Sequence, residues 1–129
     1  MSIFTERELD YLMSERRLAR LATVGRDGTP HISPVGWSYD PADNTIEIRG
    51  YNLDTSKKFR DVALTGRAAV VIDDVLPPWQ PRGVEIRGRA EARKDPRPVI
   101  VIHPERVIGW GLDTHGIGVR NARDVRVSA

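Results

Sequence analysis

Asp54-Thr55-Ser56-Lys57-Lys58-Phe59-Arg60-Asp61-Val62-Ala63-Leu64 is the one interval in the middle of the chain that breaks the pattern on either side of it. It lacks alternation, sets Phe59, Val62 and Ala63 on one side, and runs out at Gly66 as a helix does. Before it, β-branched and apolar runs at residues 18–24, 29–39 and 45–50 are bounded by turn residues such as Gly25-Arg26-Asp27-Gly28 and Asp40-Pro41-Ala42-Asp43-Asn44. After it, the same kind of run recurs at residues 68–73, 83–93 and 99–103. A first helix opens the chain, because Thr5 with Glu8 three residues later makes a capping box and Phe4 and Leu9 are placed to staple across it. It is expected over residues 5–17, with Leu9, Leu12 and Met13 on its covered side and Glu6, Asp10 and Arg17 in water. The order is helix, three strands, helix, three strands and a tail.

Six antiparallel strands with short loops predict a mainly β fold with two short helices. Closure into a six-stranded barrel removes the exposed edges that a flat sheet of this size carries. The 129 residues are expected to form one such domain, residues 1–129, with no repeat or linker. Pro77-Pro78-Trp79-Gln80-Pro81 is the stiffest loop, and it holds an indole at the surface or over a cleft.

Composition removes several function classes. Without cysteine there is no zinc ribbon, iron-sulfur cluster or thiol nucleophile, and the chain suits a reducing compartment, so a cytoplasmic location is expected. No apolar run approaches the roughly 18 residues of a membrane span, so no membrane partner is expected. Twenty basic against eighteen acidic residues leave a formal charge of only +2, which gives no reason to expect nucleic acid. His31, His103 and His115 share no ligand spacing and have no carboxylate beside them in sequence, so no metal site is expected. Ser33 and Ser38 lie inside a strand rather than on a glycine elbow. Gly109-Trp110-Gly111 with Gly116 lacks the spacing and the following helix of a dinucleotide fingerprint, and reads as a glycine-rich return of the chain.

What remains is the segment from Arg49 to Val62. A strand exits through Gly50 into a helix start, where free backbone amides, cap hydroxyls and the positive end of the helix dipole meet Lys57 and Lys58, two of the three lysines in the chain. This is the pattern of an anion site. A solvated helix face with an ordinary Thr or Ser cap has the same spacing.

Four motifs in order resemble the pyridoxamine 5′-phosphate oxidase-like split β-barrel superfamily. They are Gly28-Thr29-Pro30-His31-Ile32-Ser33-Pro34-Val35, Ser56-Lys57-Lys58-Phe59-Arg60-Asp61-Val62, Ala68-Ala69-Val70-Val71-Ile72, and Arg82-Gly83-Val84-Glu85-Ile86-Arg87-Gly88-Arg89-Ala90. Within it the chain is most similar to the short actinobacterial branch that uses the deazaflavin coenzyme F420. The resemblance implies a homodimer with the coenzyme in a groove between protomers and an oxidoreductase that passes a hydride from reduced F420 to a small conjugated acceptor. It implies Lys57 and Lys58 at the phosphate, Arg49, Asn52 and Ser56 beside it, and the backbone of Ser33, Pro34, Val35 and Gly36 along the ring. Trp79, Arg82 and Trp110 are implied as walls of the groove. Hydride transfer from the coenzyme requires no protein acid or base; Tyr51, Tyr39 or His31 could deliver a proton to the reduced acceptor, but packing or surface roles are the ordinary reading of each, and no catalytic residue is assigned. Flavin-binding members tend to carry Gln where Gly83 stands, and the vitamin-oxidising members have a C-terminal Arg-Leu-x-Pro ending that is absent here. FMN is the alternative cofactor, and a carrier that binds F420 without turnover is the alternative function.

Overall fold

The computed structural model describes residues 2–112 and 120–125. Helix α1 (Glu6–Ser14) is followed by β1 (Ala19–Val24), β2 (Pro30–Val35), β3 (Ser38–Asp40) and β4 (Thr45–Ile48). A 3-10 turn (Leu53–Thr55) leads into α2 (Lys57–Thr65), and then come β5 (Arg67–Leu76), β6 (Gln80–Arg93), β7 (Val99–Trp110) and β8 (Arg120–Asp124). The mainly β architecture with two short helices is the one expected, with eight strands rather than six among the described residues. The 29–39 run is cut in two at Gly36-Trp37, and β8 lies in a tail whose Arg-rich sequence has no strand alternation. His115 and Gly116 lie outside the described residues.

All the strands form one antiparallel sheet in the order β2-β1-β5-β6-β7-β4-β3, with β8 also paired to β7. Strand β7 is long enough to hold β4 against Ile100–Ile102 and β8 against Arg106–Trp110 on its side away from β6. The two end strands, β2 and β3, are consecutive in the chain with only Gly36 and Trp37 between them. In a flat sheet these edges would stand roughly 29 Å apart at about 4.8 Å per strand. Two linking residues reach only about 10 Å, so the sheet has to roll until its edges approach. The result is a barrel whose seam, between β2 and β3, carries no ladder: a split barrel.

Ile46, Ile48, Ile72, Val84, Ile86, Ile100, Ile102 and Val107 fill the interior with no exposed surface. Helix α1 caps one end. Both halves of its capping box are present, with Thr5 Oγ1 accepting from Glu8 N–H and Glu8 Oε1 from Thr5 N–H. It stops at Ser14, one turn earlier than expected, and this changes its faces: Tyr11 and Leu12 are buried, Met13 is exposed, and Arg17 is turned inward rather than into water. The Arg17 guanidinium donates to the Tyr11 carbonyl at 2.8 Å and so satisfies one of the acceptors left free at the helix end. Helix α2 packs against β1 and β6 and ends at Gly66 with φ +69°, as its glycine predicts. No helix among the described residues is long and apolar enough to cross a membrane.

Register assigns two faces to β2, β1 and β5. Ser33 opposite Leu21 and Val35 opposite Ala19 look inward. Ile32 opposite Ala22 and Pro34 opposite Arg20 look outward, in rows that continue through Ala69 and Val71.

Candidate functional site

The start of α2 is built by the segment that precedes it. Asn52 takes a left-handed backbone (φ +54°) and its carbonyl accepts from Thr55 N–H at 3.2 Å, which tightens the chain into the 3-10 turn. Ser56 then caps α2: its Oγ accepts from Phe59 N–H at 3.3 Å and donates to the Leu53 carbonyl at 2.5 Å. The backbone N–H groups of Lys57 and Lys58 fall in the first turn, where a helix has no acceptors of its own. No acidic residue occupies that turn. Lys57 Nζ lies 3.7 Å from Asp61 Oδ1, while the half-buried Lys58 makes no ion pair among the described residues. Arg49 is exposed and its Nη2 rests 3.4 Å from Glu47 Oε1. Free amides and an uncommitted cation at one helix start suit a phosphate.

Asp61, with a side chain only 4% exposed, ties this helix to the sheet. Its Oδ2 accepts from Thr23 Oγ1 at 2.8 Å and lies 2.9 Å from His31 Nδ1. Burial pushes the Asp61 carboxyl up, but the hydrogen bonds from Thr23 and His31 and the Lys57 charge outweigh burial and hold it below the ordinary value. His31 therefore does have a carboxylate, supplied from 30 residues away. Local spacing carries no signal for such a pair.

Strand β2 leads from this cluster along the seam. As an edge strand it is paired on one side only, so alternate backbone groups face the split. Val35 is buried, Ser33 is half-buried and turned inward, Pro34 is exposed, and a Cβ on Gly36 would meet nothing within 4 Å. Beyond Gly36, the Trp37 Nε1–H donates to the Arg17 carbonyl at 2.7 Å. The Tyr39 hydroxyl is committed, donating to Asn44 Oδ1 at 2.6 Å and lying 3.1 Å from Ser2 Oγ. Tyr51 is 97% exposed beside the α2 start.

The remaining wall residues are not gathered with these. Trp79 sits at the turn of the β5–β6 hairpin and is 68% exposed. Arg82 lies on the inward face at the α1 end, where its Nε and Nη2 donate to Asp74 at 2.7 and 3.1 Å. Asp74 also accepts from Tyr11 Oη at 3.1 Å and Arg17 Nε at 3.2 Å, and both guanidiniums stack on the Tyr11 ring. Hydrogen bonds from Arg82 above all hold Asp74 down to about 2. Trp110 pairs with Gly83 and covers its outward face, so that a Cβ at Gly83 would fall 2.8 Å from Trp110 Cζ2 and 2.6 Å from Asp73 Cβ.

A family model described as pyridoxamine 5′-phosphate oxidase matches residues 5–111. A 5a,11a-dehydrotetracycline/5a,11a-dehydrooxytetracycline reductase of Streptomyces rimosus is 40% identical over 133 residues, covering 95% of this chain and 93% of that enzyme. An F420H2-dependent biliverdin reductase of Mycobacterium tuberculosis is 33% identical over 118 residues, covering 75% of this chain and 82% of that enzyme. The crystal structure of a conserved hypothetical protein from Mycobacterium tuberculosis superimposes with a TM-score of 0.69 at 20% identity, covering 92% of this chain and 94% of that one. This last likeness concerns the fold alone.

Proposed function

We propose that this chain, which belongs to the pyridoxamine 5′-phosphate oxidase family, is an F420H2-dependent reductase of a small conjugated acceptor. The observation that carries this reading is its similarity over most of its length to two reductases, one acting on dehydrotetracyclines and the other F420H2-dependent and acting on biliverdin. Both acceptors are extended conjugated molecules.

The residues present fit the coenzyme. The α2 start offers free amides and Lys58 to a phosphate, with Lys57 beside it and Arg49, Asn52 and Ser56 forming the approach. The seam edge of β2, from Ser33 to Gly36, offers unpaired backbone groups to the edge of a ring. When bound, F420H2 supplies a hydride to the acceptor. The chain's own part is to hold ring and acceptor in register, keep water from the seam and anchor the phosphate end. Tyr39 has no free hydroxyl proton to give, since Asn44 accepts it. Protonation of the reduced acceptor is left to His31, Tyr51 or solvent.

The same reading makes the protein a homodimer whose groove is completed by the second protomer, with the 129 residues as one unit and a cytoplasmic location. The outward row through Ile32, Pro34, Ala22, Ala69 and Val71, interrupted by Arg20, supports the dimer, because it leaves aliphatic sheet surface partly uncovered in the single chain. Titration of the purified protein with F420 and with FMN, followed by fluorescence, tests the cofactor. F420 is expected to bind at least tenfold more tightly, and equal or tighter FMN binding would move the protein to the flavin branch.

A further inference from the structure

A cavity of about 630 Å³ opens where the α1–β1 connection passes the β2–β3 corner. Met13, Arg16, Leu18, Gly36, Trp37 and Tyr39 are among the residues that line it. None of them except Gly36 is part of the phosphate-to-ring run described above. The volume lies within the range of small-molecule pockets.

Its walls are flat and held in place. The Trp37 indole is fixed by its Nε1–H bond to the Arg17 carbonyl. The Tyr39 ring is fixed by its hydroxyl bond to Asn44 and by an edge contact with Phe4, ring centroids 5.1 Å apart. The Met13 and Leu18 side chains stand more than half exposed beside them, leaving apolar surface for a ligand to cover. Rigid aromatic walls favour a planar occupant, since little side-chain freedom is lost on binding.

Three charged residues line the cavity: Glu15, Arg16 and Arg17. Arg17 is held through Nε by Asp74 and through Nη1 by the Tyr11 carbonyl and Ser14, while its buried Nη2 makes no hydrogen bond among the described residues and lies 3.5 Å from the carboxylate of Glu15, the acid in the lining, whose side chain is 67% exposed. Arg16 has no hydrogen bond or ion pair among the described residues. An uncommitted guanidinium beside the aromatic and aliphatic walls of this mixed cavity suits a carboxylate or an enolate.

We propose that this cavity is the acceptor pocket and that it takes a planar, polycyclic conjugated molecule with an anionic edge directed to Arg16. The assignment rests on the reading that a deazaflavin ring lies along Ser33 to Gly36, because Gly36 is where that run and the cavity meet, and its backbone there is open. It names Arg16 as a specificity-determining residue and Trp37 as the stacking wall.

Binding of anthraquinone-2-carboxylate and of its neutral carboxamide to protein saturated with oxidised F420, followed by calorimetry, tests it without turnover. The carboxylate is expected to bind about tenfold more tightly than the amide. Arg16→Gln should bring the two within about twofold, and Leu18→Trp, which fills the cavity from an exposed position, should weaken both at least tenfold. Both variants should keep the F420 affinity of the parent. Equal binding of the two probes to the parent protein, or probe binding unmoved by both variants, would overturn the proposal. If F420 itself fails to bind while the probes behave as expected, the cofactor reading falls and the cavity stands as a site for planar anions.

Discussion

Lys57 Nζ lies 3.7 Å from the buried Asp61 carboxylate one turn further along α2, whereas Lys58 has no carboxylate partner among the described residues. The two adjacent lysines are therefore not equivalent. A phosphate at the helix start competes with Asp61 for Lys57 but has Lys58 to itself. Lys58→Ala is expected to weaken F420 binding by roughly 1.5–3 kcal/mol, the scale of a hydrogen bond between charged groups, and Lys57→Ala by less. Fluorescence titration at moderate salt measures both. Unchanged affinity in the double variant would return the pair to a solvated helix face.

Removal of Asp61 should cost stability. Asp61→Ala strands the buried Thr23 hydroxyl, at roughly 1–3 kcal/mol for a polar group left unpaired, and removes the partner of the half-buried His31 Nδ1 at a smaller cost. Urea denaturation is expected to show a fall in midpoint with little change in slope, and Asp61→Asn a smaller fall because an amide oxygen still accepts one bond. A stability equal to that of the parent would mean that α2 is held to the sheet by apolar packing alone.

Acid is expected to weaken the barrel in a defined window. Hydrogen bonds from Arg82 hold Asp74 down to about 2, and hydrogen bonds from Arg93, with His103 adding to them, hold Glu91 down to about 2. A carboxyl lowered on folding adds stability that is whole above its unfolded value of about 4 and is lost as pH falls toward the folded value. Thermal unfolding followed from pH 7 downward should show a steady midpoint to about pH 4.5 and then a fall toward about pH 2. In Asp74→Asn the fall should be shallower, from a lower starting midpoint.

The outward row of β2, β1 and β5 predicts the effect of a surface charge. Ile32 is 70% exposed in the single chain, so Ile32→Lys should leave the fold intact while disrupting a dimer that covers this face. Sedimentation at micromolar concentration is expected to show a dimer for the parent and a monomer for the variant. A parent that sediments as a monomer and still binds F420 would remove the two-protomer groove.

The mainly β fold was legible because its signals are local. Thr5 with Glu8, Ser56 with Phe59 and Gly66 each mark a helix end within four residues of chain. The break at Gly36-Trp37 was not legible, since apolar residues run on past it to Tyr39 and the corner exists only because the sheet has to roll. Strand β8 was missed for a related reason: its Arg120-Asn121-Ala122-Arg123-Asp124 is paired to β7, and Arg123 is anchored by Glu8 Oε1 at 2.6 Å, a partner 115 residues away. Of the site, the α2 start could be read from cap and charge. The Thr23–His31–Asp61 cluster and the Arg16–Trp37 cavity could not, because each joins segments that only folding brings together. Gly83 lies between these cases: the resemblance marks it as the place where flavin-binding relatives carry Gln, and the structure shows that a Cβ there would collide with Asp73 and Trp110.

The measurement that bears most directly on the central claim is anaerobic stopped-flow absorbance of F420H2 bound to the protein, mixed with a panel of enones, quinones and linear tetrapyrroles. At least one acceptor is expected to oxidise the bound coenzyme well faster than free F420H2. Lys57→Ala/Lys58→Ala should lose the acceleration through occupancy, and substitution of Tyr51 or His31 should change the rate only modestly. If binding is saturated and every acceptor reacts no faster than it does without protein, the chain is a carrier of the coenzyme and not a reductase.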